Sequence, residues 1–468
     1  MSQTYAPPPA DQKTRKERQR VVAGTTIGTA IEWYDFFLYA NVAGIVFNEI
    51  MFSDQMDPGL ATVISFLTVG ISFIFRPLGA FMAGHFSDRY GRRVVLMVTL
   101  VSMGVATALI GLLPTYSQIG IWAPLLLLAL RIVQGISAGG EWGSAVLLAV
   151  EHAPNNKRGL FGAGPQTGVP IGLLMASGVL ALMNAIAPGD AFLEWGWRIP
   201  FLLSIALIFV GMYIRRGVEE SPVYEEMAQA PKEAEVTRPI ATLFGRFFPV
   251  LIVAALALAA NGAVGYMTVG GFVQSYAINP SGLAMERGPV LLAVTGSAVT
   301  WLLTTAFAGW ISDYIGRKKT YLIGGVLQAV GALVLFPAIN TANIWILFGA
   351  LVFLTVGLGL TYGQISSMFV ELYPASIRGS GVSITYAIAS ILGGAFAPMI
   401  AASLVEATGG TTAVTVYLVG MTVLGLLCMC LLRDRTGIPL GRKWEKEQSQ
   451  GHFIWEPHPL DALPENQK

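Results

Sequence analysis

Apolar residues along this chain come in long unbroken runs rather than in the alternating or three-four periodic patterns of soluble strands and helices. Each run is about 20 residues or longer, enough for a helix to cross a hydrocarbon core roughly 30 Å thick. Glycines, prolines and charge clusters punctuate them into twelve predicted spans. These cover 21–48, 59–83, 94–113, 121–149, 160–186 and 196–214 in the first half of the chain. In the second they cover 245–276, 289–312, 320–339, 343–369, 380–404 and 412–432. The pattern predicts an all-α integral membrane protein.

The placement of lysine and arginine adds an orientation. Basic clusters fall at 13–20, 89–93, 157–158, 215–246, 317–319, 378 and 433–446. They precede the first span, follow each even-numbered one, and continue into the tail. The alternate loops carry only Arg287, with Arg198 at the outer edge of the sixth span. By the positive-inside rule both termini are expected in the cytoplasm, which requires an even number of spans. The expected organisation is a tail at 1–20, a six-helix bundle at 21–214, a central cytoplasmic loop at 215–244, a second bundle at 245–432 and a cytoplasmic tail at 433–468. That last tail is polar and is expected to be poorly ordered.

Composition agrees: 54% of residues are hydrophobic and 12% charged, at a net charge of +1. Near-neutral charge gives no support for nucleic-acid binding. Cys428 and Cys430 sit in the last apolar run, which excludes a disulfide framework and suits small packing residues. The four histidines are scattered. No G-x-x-x-x-G-K-[ST] loop is present, so primary pumping is not expected, and no nucleophile or metal set emerges to suggest an enzyme or a cofactor.

Two charged motifs recur. "GHFSDRYGRR" (84–93) matches "GWISDYIGRK" (309–318), aligning Gly84, Asp88, Gly91 and Arg92 with Gly309, Asp313, Gly316 and Arg317. "VEHAPNNKRG" (150–159) matches "VELYPASIRG" (370–379), aligning Glu151 and Arg158 with Glu371 and Arg378. Two independent motifs repeating at nearly one offset predict a duplicated six-helix unit with both copies in one orientation. An Asp at a helix end can accept from backbone amides, and an arginine can bridge to a carboxylate. Gly84, Asp88, Arg89, Gly91, Arg92, Arg93, Glu151, Arg158, Asp313, Arg317, Glu371 and Arg378 are therefore expected to form breakable cytoplasmic latches.

The first of these motifs resembles the signature of the major facilitator superfamily, and E-x-x-P-x-x-x-R-G resembles its sugar-porter side. "IEWYDFFLY", "FIFRPLGA", "RIVQGISAGGEWGSAVLLAVE", "WGWRIPFLLS" and "EESPVYEE" resemble the metabolite:proton symporter family, and "GGEWGSAVLLAVE" its shikimate-transporter-like branch. The resemblance implies two pseudo-symmetric six-helix bundles, a proton as coupling ion with no cofactor, and substrates such as shikimate, other carboxylates or zwitterionic osmolytes. A monomer in lipid, at the cell inner membrane, is the expected form.

The residues that carry chemistry lie inside the spans. Glu32, Asp35 and Tyr39 fall on one stripe of the first helix, within about 60° of each other and of Gly28. Phe36, Phe37 and Leu38 mostly cover the remainder, and the two phenylalanines are expected to face lipid. A mid-span charge costs roughly 2.5–3.5 kcal/mol even on the mild insertion scale, so partners are required. Arg76 on the second span, and Arg131, Gln134 and Glu141 on one side of the fourth, are at hand. Two readings stay open: a static buried network, or a proton-coupling site. In the second, Asp35 is alternately protonated and paired with Arg131, with Glu32 or Glu141 sharing the role. An Asp in the first span and an Arg in the fourth also resemble the pair of related proton-coupled sugar porters. For substrate, Arg76 or Arg131 could clamp a carboxylate. Tyr39, Gln134, Trp142, Gln166, Asn261, Tyr266, Trp301, Tyr362, Gln364 and Tyr386 are polar or aromatic candidates on central helices. The glycine-rich stretches at 164–172 and 259–271 are expected to break or bend spans five and seven. The leading expectation is proton-driven import of a small organic acid by alternating access. An osmolyte symporter, an exporter and a facilitator of the same fold are the alternatives.

Overall fold

The computed structural model describes residues 12–52, 56–82, 92–215, 239–268, 271–279 and 282–457. Side chains are described for all of these except 12–17, 92–96, 215, 239 and 266–268. Helix dominates, and among the described residues the only β feature is a single bridge between Leu432 and Phe453.

Twelve helical units follow one another. α1 runs Gln12–Val42 and continues through a π turn at Ala43–Phe47 to Ile50. α2 is Pro58–Met82, α3 Arg92–Gly111, α4 Trp122–Glu151, α5 Arg158–Ile186 and α6 Arg198–Arg215. α7 is Phe248–Thr268 with a second segment Phe272–Ile278, and α8 is Arg287–Ile315. α9 is Arg317–Ile339, α10 Ile344–Leu372, α11 Arg378–Thr408 and α12 Thr412–Leu431. Ten of these meet the length and apolarity needed to cross a bilayer; α3 contributes a shorter apolar stretch, Met97–Gly111, and α1 begins with a polar turn.

The packing carries the duplication. In the first half α1 packs on α5 and α6, α3 on α4 and α6, and α2 on α4. Six helices later the same pairs recur: α7 on α11 and α12, α9 on α10 and α12, α8 on α10. The halves meet along α5–α8 and α2–α11, which the same six-helix shift exchanges. Two six-helix bundles related by pseudo-twofold symmetry are the result. Large apolar side chains of α3, α6, α9 and α12, such as Val105, Phe209, Val326 and Leu427, face outward. With no water in the hydrocarbon, such faces belong to lipid.

Three expectations need correction. Phe36 and Phe37 do not face lipid; each is at most 3% exposed. α1 is a central helix enclosed by its own half and the other, and Phe37 meets Trp301 of α8 at 6.4 Å between ring centroids. α7 is interrupted before Phe272, with Gly271 at φ 130, but α5 is one uninterrupted helix. Its glycines are for close approach: a Cβ at Gly172 would lie 2.7 Å from Trp33 Cβ, and one at Gly168 2.7 Å from the Thr26 carbonyl oxygen. The four-residue spacing lines them up against α1, the small-x-x-x-small arrangement of membrane helix crossings. Finally, the tail is folded from Leu432 to Pro457 and docks on the ends of α9, α10 and α11. Its polar groups find partners there rather than solvent.

Substituting Gly172→Leu should force α1 off α5, costing about 1–3 kcal/mol or more by overpacking. Gly349→Leu, where nothing lies within 4 Å of the added carbon, should be neutral or slightly stabilising through helix propensity. Thermal unfolding of the two purified variants in detergent separates them; equal melting temperatures would refute the close crossing.

Candidate functional site

α1 offers its charged groups to three directions. Glu32 turns to α2, where Arg76 Nη2 lies 3.6 Å from Oε1; both side chains are at most 5% exposed. The Arg76 guanidinium also lies 4.4 Å above the Phe73 ring and 5.5 Å from Trp33, so aromatic faces share its charge. Tyr39 also turns to α2, its hydroxyl 2.6 Å from Thr68 Oγ1. Asp35 turns to α6 and α3: Ser204 Oγ donates to Oδ1 at 2.7 Å, and Thr107, whose hydroxyl donates to the Met103 carbonyl at 3.0 Å, lies beside it.

Arg131 of α4 is not in direct contact with Asp35 in this state, in contrast to the expected pair. It donates to Gln134 Oε1 (2.7 Å), Ser72 Oγ (2.8 Å) and the Thr68 and Val69 carbonyls (3.3 and 3.2 Å), and it stacks 3.8 Å over the Tyr39 ring. Gln134 Nε2 in turn donates to Thr107 Oγ1 at 2.7 Å. Arg131, Gln134 and Thr107 thus form one hydrogen-bonded chain across α4 and α3 that ends beside Asp35, which Ser204 holds from α6. The reason is steric: Tyr39 and the carbonyls of α2 hold the guanidinium, and the short side chain of Asp35 reaches only hydroxyls. Glu141, buried at the start of the second segment of α4, is within electrostatic range of Asp35.

A carboxylate flanked by hydroxyls can be satisfied in both protonation states, because Ser and Thr oxygens donate or accept as needed. Ser204 donates to an ionised Asp35 and can accept from a protonated one. The chemistry therefore permits proton uptake and release at Asp35 with little rearrangement.

A narrow cavity of about 20 Å³, room for roughly one water, lies between the halves in this closed state. Asn261, Trp301, Tyr362 and Tyr386 line it, with Val169, Leu258, Gly262, Gly265, Ala389 and Ser390. Asn261 Nδ2 is held by Thr361 Oγ1 (2.6 Å) and the Leu358 carbonyl (3.3 Å). The buried Trp301 indole N–H has no acceptor among the described residues. Tyr386 stacks on Trp142 of α4 at 3.7 Å and 11°. Trp142 Nε1 donates to Gln166 Oε1 (3.0 Å), and Gln166 Nε2 to the Tyr362 carbonyl (3.3 Å). These residues put α4 and α5 of one half against α10 and α11 of the other.

Of the other candidates, Tyr39, Arg76, Arg131, Gln134 and Gln364 do not line this cavity. Gln364 Nε2 is tied to the Thr361 carbonyl at 3.1 Å. The side chain of Tyr266 lies outside the described residues, as do Gly84, Asp88, Arg89, Gly91 and the side chains of Arg92 and Arg93. Ser204, Thr107, Gly262, Gly265 and Ser390 are functional neighbours that sequence reasoning missed. Small residues in apolar helices look alike until the fold says which way they point.

The end carrying the repeated motifs is closed. The Asp313 carboxylate accepts from the Gly159 and Leu160 amides (2.7 and 3.0 Å), at the exposed N–H groups of the first turn of α5. Arg317 forms a two-pronged bond to Glu371 (3.1 and 3.2 Å) and a 2.8 Å contact to Asp313. Arg158 lies 3.7 Å from Glu371, and Arg378 3.6 Å from Glu151, both across the halves. The opposite end is closed by neutral bonds, Gln274 of α7 donating to Asn41 of α1 (2.9 Å) and Ser275 to the Gly44 carbonyl (2.9 Å), with Arg287 of α8 lying 5.1 Å over the Phe192 ring of the first half and within electrostatic range of Glu49.

Residues 21–245 match the family of sugar (and other) transporters, and residues 251–463 match the major facilitator superfamily. The chain is 40% identical over 422 residues to the inner membrane metabolite transport protein YhjE of Escherichia coli (strain K12), covering 89% of this chain and 94% of that one. It is 37% identical over 418 residues to the shikimate transporter of the same organism, with the same coverage. This chain belongs to the major facilitator superfamily. It falls in the branch of metabolite:proton symporters, a family of multi-pass membrane transporters and not of enzymes. The proline/betaine transporter of E. coli (strain K12) is 32% identical over 440 residues, covering 92% of this chain and 85% of that one. Among solved structures, a proton:xylose symporter superposes with a TM-score of 0.74 at 19% identity, covering 91% of this chain and 98% of that one. That likeness is one of fold.

The Glu32–Arg76 contact generates a prediction. Arg76→Met should destabilise the protein by about 3 kcal/mol or more, because it strands a buried carboxylate. Glu32→Gln combined with Arg76→Met should recover most of that loss. Thermal unfolding of both singles and the double tests it; a double variant no better than the worse single would show that the two charges are not coupled.

Proposed function

We propose that this superfamily transporter is a proton symporter that imports a small organic acid of the shikimate type by alternating access. The observation that carries the reading is Asp35: a carboxylate 1% exposed, hydrogen-bonded to Ser204 and set beside the bonded chain Thr107–Gln134–Arg131 that ends in a buried arginine. Tilting α4 against α3 would break the Gln134–Thr107 bond and change the electrostatic environment of Asp35. Helix motion and proton affinity are then one event. The relatives named as metabolite and shikimate transporters support this choice of substrate class. A proton crossing 100 mV releases about 2.3 kcal/mol, enough to concentrate a solute.

In this reading the substrate occupies the cavity between the halves. Trp301 N–H and Asn261 serve its oxygens, and the rings of Tyr362 and Tyr386 its carbon face. The motif end faces the cytoplasm together with both termini, in the inner membrane, and the functional unit is a monomer with no cofactor. A second reading rests on the cavity itself: its lining is aromatic and uncharged, which also suits the quaternary ammonium of a betaine, and a proline/betaine transporter is among the relatives.

Uptake into proteoliposomes of labelled shikimate, 2-oxoglutarate, citrate and proline betaine, with an inward proton gradient and with it collapsed, decides between the two. Accumulation of one acid only when the gradient is present is expected; accumulation of the betaine alone would select the second reading. Asp35→Asn should abolish gradient-driven accumulation while retaining exchange of substrate for substrate. Intact accumulation in that variant would remove Asp35 from coupling. Trp301→Phe keeps the ring and loses the N–H. It should raise KM about tenfold at nearly constant maximal rate, the loss of one buried hydrogen bond to a charged or polar ligand. An unchanged KM would mean that the indole does not touch substrate.

A further inference from the structure

The folded tail is more than a covering. Gln448 is 1% exposed and uses its full hydrogen-bonding capacity. Its oxygen accepts from the Ala375 amide (2.9 Å) and from Arg378 Nη2 (3.1 Å). Its nitrogen donates to the Pro439 and Gly441 carbonyls (2.6 and 3.0 Å). Arg435, also buried, donates to the Glu371 carbonyl (3.1 Å), to the Gln448 carbonyl (2.7 Å) and to the Gln450 carbonyl. The Thr436 hydroxyl accepts from the Arg317 amide (3.1 Å), and the Gly437 amide donates to Glu371 Oε1 (3.4 Å). His452 Nε2 bonds the Leu372 carbonyl at 3.0 Å. Burial, reinforced by Arg435 and Arg246, pushes its imidazole down to about 3. The ring is neutral, so the nitrogen facing the carbonyl carries the proton.

The anchors outside the tail are all on the second half, and three of its four latch residues, Arg317, Glu371 and Arg378, are touched. One contact crosses to the first half: Arg158 Nη1 donates to the Ile438 carbonyl at 2.6 Å. Arg158 is the same side chain that faces Glu371 across the halves. The tail therefore orients Arg378 toward Glu151 and Glu371 toward Arg158, and offers Arg158 a carbonyl of its own.

We propose that residues 433–457 form a strap that holds the motif end shut, with Gln448 and Arg435 as its positioning residues. Opening this end requires Arg158 to leave both Glu371 and the Ile438 carbonyl while the strap stays with the second half. The strap thereby sets how often the transporter opens on that side. This goes beyond the transport reading and does not depend on which substrate is carried.

The test reads a distance in the full chain. Spin labels at Asn156→Cys on the first half and Lys319→Cys on the second, both exposed, are placed in a Cys428→Ser, Cys430→Ser background. Pulsed dipolar spectroscopy in lipid nanodiscs without substrate then gives the closed and open populations at the motif end. Gln448→Ala is expected to raise the open-to-closed ratio about tenfold, the yield of losing one hydrogen bond to a charged group. Arg435→Ala should act in the same direction. Gln448→Asn, which keeps the amide one carbon shorter, should shift the ratio less than Gln448→Ala, and it serves as the decisive variant should Gln448→Ala not purify. A distance distribution unchanged from the parent in a variant that purifies and melts normally overturns the proposal. So would a shift toward the closed population.

Discussion

A charge at bilayer depth must find its counter-charge or its hydrogen bonds on a neighbouring helix, and that requirement organises the first half of this protein. Glu32 and Asp35 sit on α1, while Arg76 and Arg131 sit on α2 and α4. The hydroxyls and amide between them come from α3, α4 and α6. Each of these contacts is a reason for one helix to lie against another at a fixed height. Leaving any charged member unmatched costs several kcal/mol in hydrocarbon, so the network fixes vertical register more strictly than apolar packing, which tolerates sliding. Among the described residues the second half has no comparable set at depth. Its helices are held by neutral bonds such as Gln328–Thr422 and Asn261–Thr361, and its charges gather at the motif end.

The architecture was legible in the sequence because its causes are long and repetitive. Twelve apolar runs, alternating basic loops and two duplicated motifs each constrain the same answer, and an error of a few residues at a helix end changes none of them. The site was legible only where a residue was out of place for its surroundings. Glu32, Asp35, Arg76 and Arg131 announce themselves as charges in apolar runs, and Asn261, Trp301, Tyr362 and Tyr386 as polar aromatics or amides. Which of them touch was not legible. Periodicity put Glu32, Asp35 and Tyr39 on one stripe, but a stripe 60° wide still faces different helices at its two edges, so Asp35 reached α3 and α6 while Glu32 and Tyr39 reached α2. The lipid-facing assignment of Phe36 and Phe37 failed for a related reason: apolar side chains fit a protein interior and a bilayer equally well. Only the position of α1 in the middle of the molecule separates the two.

The two ends of the cleft are closed by different chemistry. At the motif end the bonds are charged and cross between halves at a helix N-terminus, a geometry in which a small shift loses several contacts together. At the other end Asn41, Gln274 and Ser275 make neutral bonds at a π turn of α1 and at the break in α7. Beside them Arg287 lies over the Phe192 ring and within electrostatic range of Glu49, without a direct ion pair among the described residues. A cavity closed at both ends between two six-helix bundles suits a molecule that rocks about its centre, and rigid-body rocking of parallel repeats is how such folds alternate access.

The remaining question is how charge handling in one half could report on recognition in the other, since no charged residue lines the cavity. The answer lies in adjacency along single helices. Asp35 and Phe37 are two residues apart on α1, so they point to different sides: the carboxylate into its own half, the ring against Trp301 across the cleft. Glu141 and Trp142 are neighbours on α4, one within range of Asp35, the other stacked on Tyr386. A substrate that shifts Trp301 or Tyr386 must therefore push on Phe37 or Trp142, and a helix is too stiff to move those side chains without moving Asp35 and Glu141. Interiors packed at crystal density pass such displacements on rather than absorbing them. In the proposed reading, coupling then needs no charge in the cavity. It needs only that α1 and α4 each present one face to the proton and the other to the substrate.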